Sequence, residues 1–261
     1  MPRVSSRDNP RLKALARLAA SSRERRKTGR CVLEGEHLIA AYCARYGAPE
    51  TLVVCETALD RPEVKALLAQ LSSRDTLVVP EDRWPGIAQL PQAVGALAVV
   101  TAPTPVFRSS AEFCLLLQDV QDPGNVGSIL RSAAAAGVAQ VFLSPGCAFA
   151  WSPKVLRGGQ GGHFHLDIFE NVDLLAWAGD YQGNLVAAVA AGGEPLFDTN
   201  LSAPVAIAIG NEGAGLSAAL RAAATHRVSI PMPGCFESLN AAAAAAVCLF
   251  ECVRQRSAVS C

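Results

Sequence analysis

Aromatic residues are scarce, at 6% of 261 positions, and no apolar run approaches the roughly 20 residues needed to cross a bilayer. A membrane partner is therefore not expected. The N-terminus is polar and arginine-rich rather than a charged stub ahead of an apolar segment, so no secretory signal is expected either. Nine cysteines include no Cys-x-x-Cys pair, and Cys248 and Cys252 stand a helical turn apart on a segment that reads as a packed helix. Cys31, Cys43 and Cys55 fall in or beside apolar segments. An odd, scattered set of this kind fits reduced, buried thiols in a cytoplasmic protein and excludes a disulfide scaffold. No internal repeat or low-complexity tract is present.

Net charge is also missing, with 23 basic and 23 acidic side chains, but the balance hides an asymmetry. Residues 1–30 hold ten basic side chains against Asp8 and Glu24, a charge of +8, so the remainder must carry −8. A basic arm on an acidic body suits a polyanion, because each neutralised phosphate releases counterions. The same arm contains Leu12, Leu15 and Leu18 at spacing three, an apolar stripe expected to pack while the arginines face solvent.

Residues 31–102 alternate between β-rich runs (CVLEG, TLVVC, TLVVP, ALAVVT) and amphipathic stretches (HLIAAYCARYG, PEVKALLAQLSS). They make one small α/β unit, so residues 1–102 are read as a basic arm with a substrate-binding domain. Residues 103–111, with Pro103 and Pro105 and no periodicity, read as a linker. From residue 112 a second alternation begins, with strand candidates FCLLLQDV, QVFLSP, FHLDIF, LVAAVA, VAIAIG and RVSIPM. Continuous apolar runs such as VAIAI predict strands covered on both faces, hence a mostly parallel sheet with helices on either side. Residues 112–261 are read as the catalytic domain. It closes on a helix from about Asn240 to Arg256 that opens with six alanines, the best helix formers.

Three islands carry chemistry. In LLLQDVQDPGNVGSILRSAAAAGV (115–138), a buried strand ends before turn residues Asp122–Asn125, and Arg131 follows on the helix. That helix start offers free N–H groups, and Arg131 adds a permanent cation able to grip phosphate bidentately. In IGNEGAGLS (209–217), Gly210, Gly213 and Gly215 let the backbone approach a ligand, and Glu212 can orient a basic or hydroxylic group or brace the loops. This is neither a Walker loop nor a G-x-G-x-x-G fingerprint, which argues against a dinucleotide enzyme. In IPMPGCFESLN (230–240), Ile230, Met232 and Leu239 stand beside Ser238 and Asn240, a setting fit for an adenosine. Read as structure alone, Ser238 would be the N-cap of the last helix. RGGQGGHFHLD (157–167) places His163 and His165 on one face if it is a strand, with no third ligand for a metal.

Together, in this order, the islands resemble the motifs of the SpoU/TrmH branch of the SPOUT RNA methyltransferases. The match spans about residues 112–256. The N-terminal stretch resembles that family's ribosomal-protein-like RNA-recognition domain. The resemblance implies an enzyme that moves methyl from S-adenosylmethionine to a ribose 2′-hydroxyl in structured RNA, with 23S-type ribosomal RNA favoured over transfer RNA as the substrate. It also implies a trefoil knot and a homodimer that shares residues across its interface. By the same resemblance Asn125, Arg131, Glu212, Ser238 and Asn240 serve catalysis. Gly210, Asn211, Ile230, Met232 and Leu239 hold the cofactor. The family's alternating Val and Ser after the third motif are replaced here by alanines, which favours closer helix packing at the dimer interface. The competing reading is a non-catalytic RNA-binding or ribosome-assembly protein that keeps the fold.

Overall fold

A computed structural model describes residues 2–6, 8–71, 75–89, 95–110, 112–202, 204–234 and 237–259. Arg7 of the basic arm and Cys235 and Phe236 of the third motif lie outside the described residues. The chain forms two compact units, one of Met1–Pro103 with Trp151–Phe164, the other of Thr104–Ala150 with His165–Cys261.

In the first unit, α1 (Pro10–Ala20) and α2 (Ser22–Thr28) precede β1 (Arg30–Glu34) and α3 (Glu36–Tyr46). Then come β2 (Thr51–Cys55), α4 (Pro62–Gln70), β3 (Thr76–Val79) and β4 (Ala96–Thr101). The sheet order is β1-β4-β2-β3, with β4 antiparallel to both neighbours and β2 parallel to β3. Asn9 caps α1 by accepting from the Arg11 N–H, and Pro10 fits the first turn, where no N–H is needed. Leu12, Leu15 and Leu18 are buried as their spacing requires.

The arm's charge is only partly free. Arg3 pairs with Glu56 at 2.7 Å, Lys13 with Asp8 at 2.8 Å, Arg30 with Glu50 at 2.8 Å, and Arg11 with Asp75. Arg25 is buried and donates to the carbonyls of Leu18 and Ala19, both at 2.7 Å. At least five of the ten cations are thus committed to the fold rather than to a partner.

The second half of the chain continues with β5 (Phe113–Leu117), α5 (Pro123–Ala135), β6 (Gln140–Leu143) and α6 (Pro153–Gly159). Next are β7 (Asp167–Phe169), α7 (Leu174–Asp180), β8 (Asn184–Ala188) and β9 (Glu194–Pro195). It ends with β10 (Val205–Ile209), α8 (Ala218–Ala223), β11 (His226–Ser229) and α9 (Ala241–Val259). The strands other than those of the first unit form one sheet of order β7-β6-β5-β10-β8-β11-β9, parallel at every pairing. Side chains alternate across it. Cys114, Leu116, Phe142, Leu185, Ala187, Ala206 and Ala208 form one buried layer with Leu174 of α7 and Leu220 of α8. The intervening Leu115, Leu117, Val186 and Ile207 are equally buried, and α9 packs against both α5 and β10. The expected parallel sheet with helices on both faces is therefore what the chain builds.

Three expectations need correction. His163 and His165 lie in a short 3-10 turn (Gly162–His165), so no strand places them on one face: His163 is fully buried beside Trp151 and His165 is exposed. The strand begins only at Asp167 because Gly161, at φ +88°, and Gly162 bend the chain first. Asn240, not Ser238, caps the last helix, its Oδ1 accepting from the N–H of Ala242 at 2.8 Å. The alternating pattern also left out β9, whose two residues are both exposed and carry no apolar signal. Cys31, Cys114, Cys248 and Cys252 are buried as expected, and desolvation pushes each thiol up to about 12.

Candidate active site

In the sheet, β10 lies between β5 and β8, so the loops that leave these three strands emerge side by side at their carboxyl ends. The β5 loop is braced first. Gln118 and Ser217 form a reciprocal pair, Oε1 accepting from the Ser217 N–H at 2.7 Å and Nε2 donating to Ser217 Oγ at 3.1 Å. Asp119 follows at φ +55°, with its N–H donated to Ser144 Oγ at 2.9 Å and its carboxylate accepting from that hydroxyl at 2.6 Å. Its carbonyl accepts from Asn211 Nδ2 at 2.8 Å, which ties the β5 and β10 loops together.

Asn211 also folds its own loop, Oδ1 accepting from the N–H groups of Gly213 and Ala214, both at 2.9 Å. Asn211 and Gly215 exchange backbone hydrogen bonds of 3.2 and 2.9 Å. At Gly210 the chain doubles back so closely that a Cβ would sit 2.2 Å from the Gly215 carbonyl carbon, which is why glycine is required there.

Glu212 is the hub. Its Oε1 accepts from Asn125 Nδ2 at 2.9 Å and from the Asp122 N–H at 3.2 Å, while Oε2 accepts from the Gln121 N–H at 3.3 Å. Partial desolvation pushes its carboxyl up, but the donors outweigh that effect and hold it below the usual range. Asn125 in turn accepts from Asn240 Nδ2 at 2.9 Å. One chain of hydrogen bonds, Glu212–Asn125–Asn240, thus joins all three islands. Asp122 caps α5 by accepting from the Asn125 N–H at 2.8 Å, which fixes where the Asn125 amide points.

Beside this chain opens a cleft of about 310 Å³. Gly210, Asn211, Ile230, Met232 and Leu239 all line it, together with Glu212 and Ser238. Asn125, bonded to Glu212, and Asn240, bonded to Asn125, do not themselves line it. Arg131 is not brought to the cleft. It lies exposed on α5, about 120° around the helix from Asn125, with no hydrogen-bond or ion-pair partner among the described residues. Ala188 at the end of β8, Val189 and Ala190 just after it, and Glu237 also line the cleft, although no sequence motif singles them out. The run LVAAVA signalled only a strand, and nothing in it marks its last residues as walls. Among the described residues no group of three or more His, Cys, Asp or Glu side chains could hold a metal ion.

Walls of Ile230, Leu239 and Val189, a backbone bared at Gly210 and exposed polar groups at Ser238 and Glu237 suit an adenosine with a short charged tail. Residues 112–250 match the SpoU rRNA Methylase family, and residues 9–98 match the MRM3-like substrate binding domain. The Bacillus subtilis 23S rRNA (guanosine(2553)-2′-O)-methyltransferase RlmP is 31% identical over 254 residues, covering 96% of this chain and 98% of its own. Among solved structures, an RNA 2′-O ribose methyltransferase superposes with a TM-score of 0.84 at 33% identity, over 98% of this chain and 99% of that one. The SpoU methyltransferase AviRb from Streptomyces viridochromogenes, in complex with the cofactor AdoMet, gives 0.85 at 28% identity, over 95% and 98%.

The fold is that of an S-adenosylmethionine-dependent RNA 2′-O-methyltransferase. The chain belongs to the SpoU rRNA methylase family.

Proposed function

We propose that this enzyme methylates the 2′-hydroxyl of one ribose in 23S-type ribosomal RNA, in the cytoplasm and as a homodimer. The observation that carries the site assignment is the Glu212–Asn125–Asn240 chain beside a cleft lined by Gly210, Asn211, Ile230, Met232 and Leu239. Three relatives act on 23S rRNA by name, one of them spanning nearly the whole chain, and the match to a substrate-binding domain over residues 9–98 fits an RNA-recognition role for residues 1–102. Residues 112–261 then do the chemistry, joined through 103–111.

S-adenosylmethionine supplies a methyl group already activated on a sulfonium. The protein's task is alignment, which in well-oriented systems supplies about 7–11 kcal/mol. Backbone groups around Gly210 and Asn211, with the Ile230, Met232 and Leu239 side chains, would hold the adenosine. Ser238 offers a hydroxyl on the cleft wall. Glu212 and Asn240 hold Asn125 in place, and the three loops keep one shape.

The ribose hydroxyl must lose its proton as the new bond forms, and in this reading that proton passes to solvent water. Arg131, permanently charged, steers the neighbouring phosphate and polarises that hydroxyl rather than acting as a free base. Because Arg131 stands away from the cleft of its own chain, the arginine at each cleft comes from the second copy. The exposed Phe250 on α9 gives such a dimer an apolar contact, beside the alanine-rich first turns of that helix. The trefoil knot belongs to the same reading, supported by β10 lying between β5 and β8 with α9 packed on α5 and β10.

The test is to incubate the enzyme and its Arg131→Ala variant with S-adenosylmethionine and unmodified 23S rRNA, then map ribose methylation. Wild type is expected to mark a single ribose, and Arg131→Ala to lose about 10²–10³ in rate while still binding cofactor. Methyl on a base would contradict the proposal, and an unimpaired Arg131→Ala would remove Arg131 from it.

A further inference from the structure

The segment Trp151–Phe164 follows β6 in sequence, yet it belongs to the first compact unit. Its inward face is apolar: Trp151, Val155, Leu156 and Phe164 are buried, and α6 packs on β1. Phe164 meets the rings of Tyr42 and Tyr46 edge-on at 5.5 and 6.2 Å, and Tyr46 donates to the Phe164 carbonyl at 3.5 Å. After α6 the chain turns sharply at Gln160, with φ +47°, and Gly161, where a Cβ would come within 3.1 Å of Ala41. The segment is therefore anchored, not draped.

Its outward face is basic. Lys154 and Arg157, three residues apart and so on one side of α6, are exposed and have no ion-pair partner among the described residues. The same strand, β1, also carries α1 and α2, whose Arg17, Arg23 and Lys27 are likewise exposed and unpaired. These differ from Arg3, Arg11, Lys13 and Arg30, which are neutralised in ion pairs. Uncompensated cations on helices that share one strand have no folding role that would explain them.

We propose that Lys154 and Arg157 join Arg17, Arg23 and Lys27 in one surface that binds the phosphate backbone of the substrate RNA. The inference rests on the RNA substrate proposed above and adds a contact from the half of the sequence that carries the methyltransferase motifs. Its recognition is electrostatic. Each phosphate that a cation neutralises releases counterions, so affinity falls with salt in proportion to the number of contacts.

The measurement is the affinity for in-vitro-transcribed 23S rRNA across a series of KCl concentrations. Three proteins are compared: wild type, Lys154→Gln/Arg157→Gln, and Arg3→Gln/Arg30→Gln, whose cations are already paired. Losing two phosphate contacts should flatten the slope of log affinity against log salt by about 1.4–1.8, while the paired-cation variant stays near wild type. Cofactor affinity and melting temperature, read in parallel, should not move for Lys154→Gln/Arg157→Gln. A steep wild-type slope unchanged in that variant would overturn the surface. A wild-type affinity for rRNA without salt dependence would likewise overturn the surface, whereas no binding of rRNA at any salt concentration would overturn the RNA reading itself.

Discussion

In the cleft at the strand ends, most polar side chains are already engaged. Glu212 accepts three hydrogen bonds, Asn125 bridges Glu212 and Asn240, and Asn211 ties two loops. On the outer faces of α1, α2 and α6 the reverse holds: Arg17, Arg23, Lys27, Lys154 and Arg157 are exposed and unpaired. The difference follows from what each surface must do. A methyl transfer fails when atoms drift by an ångström, so its loops are locked to one another. Backbone recognition needs charge density rather than a fixed rotamer, so its side chains are left free. Substitutions in the cleft should therefore act steeply and through shape, and those on the basic surface mildly and through salt.

The largest effect should come from Gly210→Ala. A Cβ there meets backbone at 2.2 Å, which no rotamer relieves, so the 210–217 loop must move. We expect a stability loss of about 1–3 kcal/mol and no cofactor binding detectable by calorimetry. Retained affinity would mean that the loop is not a wall of the cofactor site.

A smaller effect is expected at Glu212→Gln, and it should depend on pH. The folded carboxyl is held below its ordinary value, so its stabilising contribution is complete above the unfolded value of about 4.3 and disappears as pH falls through the folded one. The difference in melting temperature between wild type and Glu212→Gln should thus be largest near neutral pH and close below pH ~4.3. A difference independent of pH would assign the effect to lost geometry instead of charge.

Much of both regions was legible beforehand. Buried runs such as VAIAI and FCLLL announce parallel strands because their neighbours cover both faces, and Leu12, Leu15 and Leu18 announce the packed side of α1. Asn125, Glu212 and Asn240 stood out because polar residues beside glycines at strand ends have no use in a core. What stayed hidden depends on three dimensions. Whether Arg3 is free turns on Glu56, 53 positions away. That α6 packs with β1 cannot be seen in a local pattern, since its apolar residues would fit either unit. The distance between Arg131 and the cleft is set by helix rotation, which motif order does not convey. His163 misled because alternation of His163 and His165 imitates a strand where glycines make a turn.

The central claim is that three loops, distant in sequence, respond to the cofactor as one site. Amide hydrogen exchange with and without S-adenosylmethionine tests it most directly. The account predicts joint protection at residues 118–125, 209–217 and 228–244, with residues 8–71 unchanged. Protection confined to one of these loops, or appearing in residues 8–71, would contradict it.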